Sequence, residues 1–365
     1  MQVQTRKQHY FVLVTVLLIP LVLFGGITIG SVEIPISETV TCMLNECKDS
    51  VTEDIIWKIR LPRTLAALVG GAGLALAGTL LQSLFRNPLA GPGVLGITSG
   101  ASLGVAVLIM GGLTVGITVY SYGTEMLFTA ALVGSLFTTI LIIGMIRFVS
   151  NATTLLLVGL MINWVLGSII SVLGILAQQQ NLQVFYVWTL GSFSGITWES
   201  LQFLYMVIPI ATLVVFSIHK KMDTLLLGES YATSMGVNVS RLRKIVIILS
   251  SILAAIVTSI AGPVGFIGIA GPYLARLTTN SGSHRIIIPA AVIFGALLTA
   301  GADILARILI SPVDLPISVI TAVIGAPLII SLLIKRKGEG LVCSQINHGF
   351  CNSFNMMVNS HYMDT

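Results

Sequence analysis

Charge is scarce in this sequence. Asp, Glu, Lys and Arg make up only 9% of its 365 residues, whereas a soluble domain carries about 25%. Hydrophobic residues make up 55%. One globular core cannot hide that much apolar surface, so a large soluble fold is excluded and a polytopic membrane protein is expected. The net charge of +5 is small and spread along the chain. It speaks for orientation in a membrane and against nucleic acid as a partner.

Other absences restrict the chemistry. There is no G-x-x-x-x-G-K-[ST] phosphate loop, no G-x-S-x-G elbow and no Cys/His cluster with metal-ligand spacing. The sequence therefore offers no catalytic residues, no metal site and no bound cofactor. Any ATP it uses, with its Mg, belongs to a partner ATPase. No Asp, Glu, Lys or Arg falls in the middle of an apolar run. That argues against a proton- or sodium-coupled carrier, because such carriers need ionisable groups inside the membrane. A secondary transporter or channel for a small organic solute is the alternative to an ATP-driven system. Cysteines number only four. Cys42 and Cys47 are five apart in one polar loop, where a disulfide is possible but its geometry cannot be read from spacing. Cys343 and Cys351 lie in a polar tail, residues 338–365, for which disorder is expected.

What is abundant is long apolar helix. Crossing a bilayer core takes about 20 residues. Such runs lie near residues 10–30, 64–84, 93–111, 124–146, 154–176, 201–218, 245–262, 286–305 and 316–334. The first is longer than a signal-peptide core and is expected to be retained. A tenth run, Pro263–Leu277, is short and broken by Gly262-Pro263 and Gly271-Pro272. Broken helix at membrane depth is tolerated where protein or a cavity surrounds it, so this run is a shortened crossing. The expected fold is all-α, with about ten transmembrane helices in a single domain over residues 1–337.

With both termini inside, fourteen of the nineteen basic residues fall on inner segments, the asymmetry of the positive-inside rule. The five on the outer side are Lys48, Lys58, Arg60, Arg63 and Arg307. Arginines there need a reason. Arg60 and Arg63 fit interfacial anchoring, and Arg307 fits a helix pair with Asp303, four residues earlier.

Three further segments stand out. Phe85–Gly100, "FRNPLAGPGVLGITSG", joins the second and third runs. It reads as a tight turn or as something more specialised, with Asn87 placed to bond freed backbone groups. The longest inner loop, residues 219–244, holds a short amphipathic helix with Gly236 as its C-cap. Its small residues Gly228, Ala232 and Gly236 recur every four positions. That spacing favours docking into a partner's groove over lying on lipid. The fifth run carries Asn163, Ser168 and Ser171, which serve either as interhelical hydrogen-bond partners or as the lining of a pathway.

Four blocks then carry a resemblance, in order: "RLPRTLAALVGGAGLALAGTLLQSLFRNPLAGPGVLGITSGASLG", "LLLGESYATSMGVNVSRLRK", "AGPVGFIGIAGPYLAR" and "DLPISVITAVIGAPLIISLLIKRK". Over about residues 10–337 the chain resembles the FecCD-type permeases of ABC importers for iron siderophores, haem and vitamin B12. The resemblance implies the type II importer fold, a subunit of the bacterial cytoplasmic membrane with no enzymatic activity of its own. It implies a second permease subunit, two ATPase subunits, an extracytoplasmic substrate-binding protein and an iron-chelate substrate, with a ferric siderophore first. It implies that Arg60, Arg63 and Arg307 dock acidic residues of the binding protein. Gly228, Glu229, Ala232 and Gly236 would belong to the coupling helix seated on the ATPase. Asn87, Leu89 and Thr153 would lie near the inner gate, and the span with Asn163, Ser168 and Ser171 would line the pathway. Tyr273 departs from the pattern, standing where the family usually has histidine.

Overall fold

The computed structural model describes residues 17–338 apart from 45, 48, 112–123, 147, 150, 151 and 312. All regular structure among the described residues is helical. In chain order the helices are α1 (Leu17–Thr28), α2 (Ile36–Met43), α3 (Ser50–Asp54), α4 (Leu61–Phe85), α5 (Ile97–Gly111), α6 (Thr124–Met145), α7 (Ala152–Leu176) and α8 (Gln179–Thr189). They continue as α9 (Trp198–Ser217), α10 (His219–Leu226), α11 (Glu229–Ser234), α12 (Val239–Ala261), α13 (Ile267–Thr279), α14 (His284–Ile308) and α15 (Ile317–Gly338). A π-helical turn, Ile55–Arg60, joins α3 to α4, and a 3₁₀ turn, Pro92–Leu95, precedes α5.

Each of the ten apolar runs holds one helix: α1, α4, α5, α6, α7, α9, α12, α13, α14 and α15. Among the described residues, six helical stretches are long and apolar enough to cross a bilayer outright; α1, α5 and the apolar part of α15 are shorter. The fold is all-α and polytopic. Contacts divide the chain into two compact units, residues 1–323 and 324–365, with the boundary inside α15, and the candidate site residues all lie in the first. The start of the first span and residues 339–365, with Cys343 and Cys351, lie outside the described residues.

The core forms around α4, of whose most apolar stretch 89% is buried. Glycine makes this possible. A Cβ on Gly78 would run into the Gly268 carbonyl of α13, and one on Gly71 into Thr299 and the Gly295 carbonyl of α14. Lipid tails are as apolar as leucine, so membrane helices gain by close van der Waals approach, and small residues permit it. The π-helical turn has a local cause. Pro62 has no N–H and its ring crowds the carbonyl four residues back, so the helix widens before α4 begins and Arg60 ends the turn. The break before α13 is also provided for. Gly262 adopts φ 71°, the Ala261 carbonyl accepts from Ser192 N, and the Pro263 carbonyl accepts from the Ser318 hydroxyl at 2.6 Å. No water is available at membrane depth, so such partners are what allow irregular backbone there.

Candidate functional site

Two groups of sequence-derived candidates lie toward the two ends of α4, about 30 Å apart from Arg63 to Ser83 at 1.5 Å per residue, while Asn163, Ser168 and Ser171 lie along α7.

At the first end, Arg60, Arg63 and Arg307 come together, and they do so buried. All three are at most 6% exposed. Arg60 donates to the carbonyls of Ile27 (3.0 Å), Thr28 (2.7 Å) and Val32. Arg307 donates to the Gly26 carbonyl at 2.8 Å. Gly26, Ile27 and Thr28 form the last turn of α1, where carbonyls lack helical partners and the helix dipole is negative. Two arginines therefore cap α1. Arg63 Nε donates to Asp303 at 3.0 and 3.3 Å, and its guanidinium also meets Asp314 at 2.5 Å. Arg307 pairs with Asp303 as well, so the local helix pair read from the four-residue spacing is present. Interfacial anchoring of Arg60 and Arg63 is not what is seen. Three guanidiniums against two carboxylates leave one positive charge, spread over α1 carbonyls, and the Arg307 Nε is buried without a hydrogen-bond partner.

The exposed surface beside this cluster is acidic, with Glu33, Glu46, Glu53 and Asp54; the exposed Lys58 is paired with Asp54. Cys42 and Cys47 form a disulfide in this region, packed with Ile27 and Ile56.

At the other end lies the expected short helix, as α11. It stops in a Schellman motif: Gly236 (φ 79°) donates to the Thr233 carbonyl and Val237 to the Ala232 carbonyl, both at 2.9 Å. The role read into the small-residue spacing needs correction. Ala232 is fully buried beneath α11, while Gly228 (φ 131°) and Gly236 serve backbone turns. The outward surface is instead Leu227, Tyr231 and Met235, the last 60% exposed. Glu229 is tied to Arg243 of α12 at 2.8 Å, which fixes α11 to a long helix.

The remaining candidates are placed as follows. The Asn87 side chain accepts from Leu89 N at 3.0 Å, forming an Asx turn. Thr153 is exposed in the first turn of α7. Asn163 donates to the Gly93 and Val94 carbonyls at 3.0 and 3.3 Å, so it holds the 3₁₀ turn against α7. Ser168 and Ser171 bond back to the Trp164 and Gly167 carbonyls on a helix only 17% buried over its apolar window.

Sequence reading missed a third set beside α11. Ser83 of α4, His284 at the start of α14 and Asp223 of α10 form one hydrogen-bonded row, with Ser83 Oγ to His284 Nε2 at 2.5 Å and His284 Nδ1 to Asp223 at 2.6 Å. Burial pushes the Asp223 carboxyl up, but hydrogen bonds from the His284 ring and backbone, the charge of His284 and the Ser283 hydroxyl outweigh it and hold it below its ordinary value. A polar residue on each of three separate segments gave no spacing signal.

Comparison with known proteins covers nearly the whole described chain. The model of the FecCD transport family matches residues 16–335. A vitamin B12 import system permease protein of Klebsiella pneumoniae is 35% identical over 287 residues, 78% of this chain and 84% of that one. A hemin transport system permease protein of Yersinia pestis is 34% identical over 295 residues, 79% and 86% of the two chains. A molybdate import system permease protein of Haemophilus influenzae is 34% identical over 297 residues, 80% and 85%. Among solved structures, an inward-facing ABC transporter provisionally assigned to the metal-chelate type superposes with a TM-score of 0.77 at 30% identity. It covers 89% of this chain and 99% of its own.

Proposed function

Because this chain belongs to the FecCD transport family, and is thus a multi-pass permease of the ABC importer class, we propose that it carries an iron chelate across the bacterial cytoplasmic membrane, a ferric siderophore before haem or cobalamin. It does so as one of two permease subunits, with two ATPase subunits that bind ATP and Mg and an extracytoplasmic binding protein that delivers substrate. Both termini are cytoplasmic in this reading, the Arg60 end of α4 faces out, and the α11 end faces the ATPase.

The observation that carries this reading is α11 and its setting. An apolar knob of Leu227, Tyr231 and Met235 stands exposed on a capped short helix that Arg243 fixes to a spanning helix. Lipid alone does not call for such a buttressed projection; a groove on a motor subunit does. The exposed face of α7, with Ser168 and Ser171, supplies the pathway wall facing the second permease. Asn87, Leu89 and Thr153 stand toward the inner gate. The outer arginines act in docking through Arg63, whose partner Asp314 lies at the rim; a carboxylate from the binding protein takes the place of Asp314 on the guanidinium.

The test is reconstitution in proteoliposomes with the ATPase and binding proteins that co-purify with the chain. Uptake of ferric siderophore, haemin, cobalamin and molybdate is measured with and without ATP. ATP-dependent uptake of the siderophore is expected. Uptake that needs no ATPase would refute the importer reading, and uptake of another ligand alone would refute the substrate.

A further inference from the structure

The row Asp223–His284–Ser83 has the residue types of a hydrolytic triad, yet its serine and histidine are closed to substrate. Ser83 and His284 are both fully buried, and a triad works only where substrate meets the nucleophile. Its arrangement is mechanical instead. Asp223 Oδ1 accepts from both the ring and the backbone N–H of His284, at 2.6 and 2.7 Å, while Oδ2 accepts from the Ser283 hydroxyl at 3.2 Å. The Ser83 hydroxyl also reaches the Thr79 carbonyl of its own helix at 2.8 Å. Next to this row Arg86, which ends α4 in the left-handed conformation, donates to the Leu225 carbonyl at 3.1 Å. Met222 and Leu225 of α10 are buried in the core on either side of Asp223. α10 is therefore fastened to α4 and α14 by apolar packing and by buried polar bonds together.

The same two helices are fastened again at their far end, where Arg63 of α4 meets Asp303 of α14. Between the two fastenings Gly71 and Gly295 let the backbones touch. Interiors packed this closely respond to force as a body and do not deform gradually. We propose that α4 and α14 form a rigid lever and that Asp223, His284 and Ser83 are the positioning residues that bolt α10, and with it the knob on α11, to the inner end of that lever. The row passes movement of the α11 knob to the end where the arginines lie, and passes docking there back to the knob. This inference rests on the importer reading above and assigns a function within it.

Coupling between sites is reciprocal in binding and amounts to about 5–150-fold in typical cases. The experiment uses the full chain assembled with its ATPase and titrated with loaded binding protein. Three variants are compared with wild type: His284→Gln, Asp223→Asn and Ser83→Ala. Two readouts are taken: stimulation of ATP hydrolysis by binding protein, and weakening of binding-protein affinity by ATP. Basal hydrolysis is expected to be unchanged in each variant, while both readouts fall by about fivefold or more in His284→Gln and Asp223→Asn. A role in folding alone would lower basal and stimulated hydrolysis together, and that result overturns the inference. Ser83→Ala removes one hydroxyl and Asp223→Asn is isosteric, so they decide the matter should His284→Gln not assemble. Stimulation in them within about twofold of wild type overturns it too, since it lies below the range of a working coupling. Wild-type complex that no binding protein stimulates overturns the importer reading along with it; stimulated wild type with equally stimulated variants overturns this inference alone.

Discussion

Replacing Asp303 by Asn should damage the protein far beyond what one lost charge on a surface would do. The carboxylate is 1% exposed, receives Arg63 at 3.0 and 3.3 Å and also pairs with Arg307. An amide has a single acceptor oxygen, and its NH₂ would be aimed at a guanidinium that can only donate. Breaking a buried ion pair from one side costs about 3–5 kcal/mol, because the surviving charge stays buried and uncompensated. Here two guanidiniums survive, so about 3 kcal/mol is the lower bound. Asp54→Asn is the control: its pair with Lys58 is close, at 2.6 Å, but both side chains are more than half exposed, and exposed pairs contribute about 0.2–1 kcal/mol. The assay is loss of the monodisperse peak on size exclusion after heating in detergent, at one fixed scan rate, since unfolding of this kind is read as a rate. At about 2.1 cal/mol/K of unfolding entropy per residue, a chain of 365 residues shifts by about 1.3 °C per kcal/mol, so Asp303→Asn should melt about 4 °C lower. Adding Arg307→Gln should recover part of the loss by removing one orphaned charge. Asp303→Asn melting within about 1 °C of wild type would refute the reasoning, because that shift corresponds to the worth of an exposed pair.

Three other outcomes follow from the same structure. Gly78→Ala should lower yield and melting temperature in the same assay, since its Cβ meets the Gly268 backbone carbonyl and overpacking costs about 1–3 kcal/mol or more. Gly144→Ala, which meets nothing within 4 Å, should be neutral or mildly stabilising. Tyr231→Glu and Met235→Glu should leave the melting temperature unchanged, because both side chains are exposed, yet abolish co-purification with the ATPase; retained co-purification would remove α11 from that interface. Asp223 sets a pH dependence. Its folded-state pKa lies below the ordinary 3.8, so its contribution is complete above that value and is lost as pH falls through the folded value. Melting of wild type should therefore fall on the acid side more steeply than that of Asp223→Asn, and parallel curves would show that the carboxylate contributes nothing.

The spans were legible because the bilayer imposes a length, and a run of twenty apolar residues rarely serves any purpose but crossing it. α11 was legible because Gly236 marks a helix stop that depends on local backbone alone. α8 was not: "QQNLQVFYVWT" is neither apolar enough for a span nor regular enough to read as amphipathic. Asn163 was legible as a polar residue in a span, but not as the clasp of a turn seventy residues earlier. Ser83 fared worse. Serine in a membrane helix ordinarily bonds back to its own carbonyls, as Ser168 and Ser171 do, and Ser83 does that and reaches His284 as well. Only the fold brings together residues 83, 223 and 284.

The arginines show the same limit in another form. Counting charges along the chain placed Arg60, Arg63 and Arg307 on the minority side of the membrane, but a count carries no information about neutralisation. Arg63 finds its carboxylates 240 and 251 residues away, and Arg60 finds its acceptors in the carbonyls of a helix end, which no charge count includes. The consequence for the proposed docking role is specific. With Asp303 buried and Asp314 about one-third exposed, a carboxylate arriving from outside competes for Arg63 with Asp314 and not with Asp303. Weakening that internal rival should strengthen docking, while reversing the charge at Arg63 should weaken it. Asp314→Asn is therefore expected to tighten binding of the loaded binding protein, and Arg63→Glu to weaken it, most visibly at low salt where steering by charge is strongest. Titration of the two variants in nanodiscs at two salt concentrations decides it. Weaker binding in Asp314→Asn would mean that the partner reads the acidic rim itself, and that the buried arginines only hold α1, α4 and α14 in place.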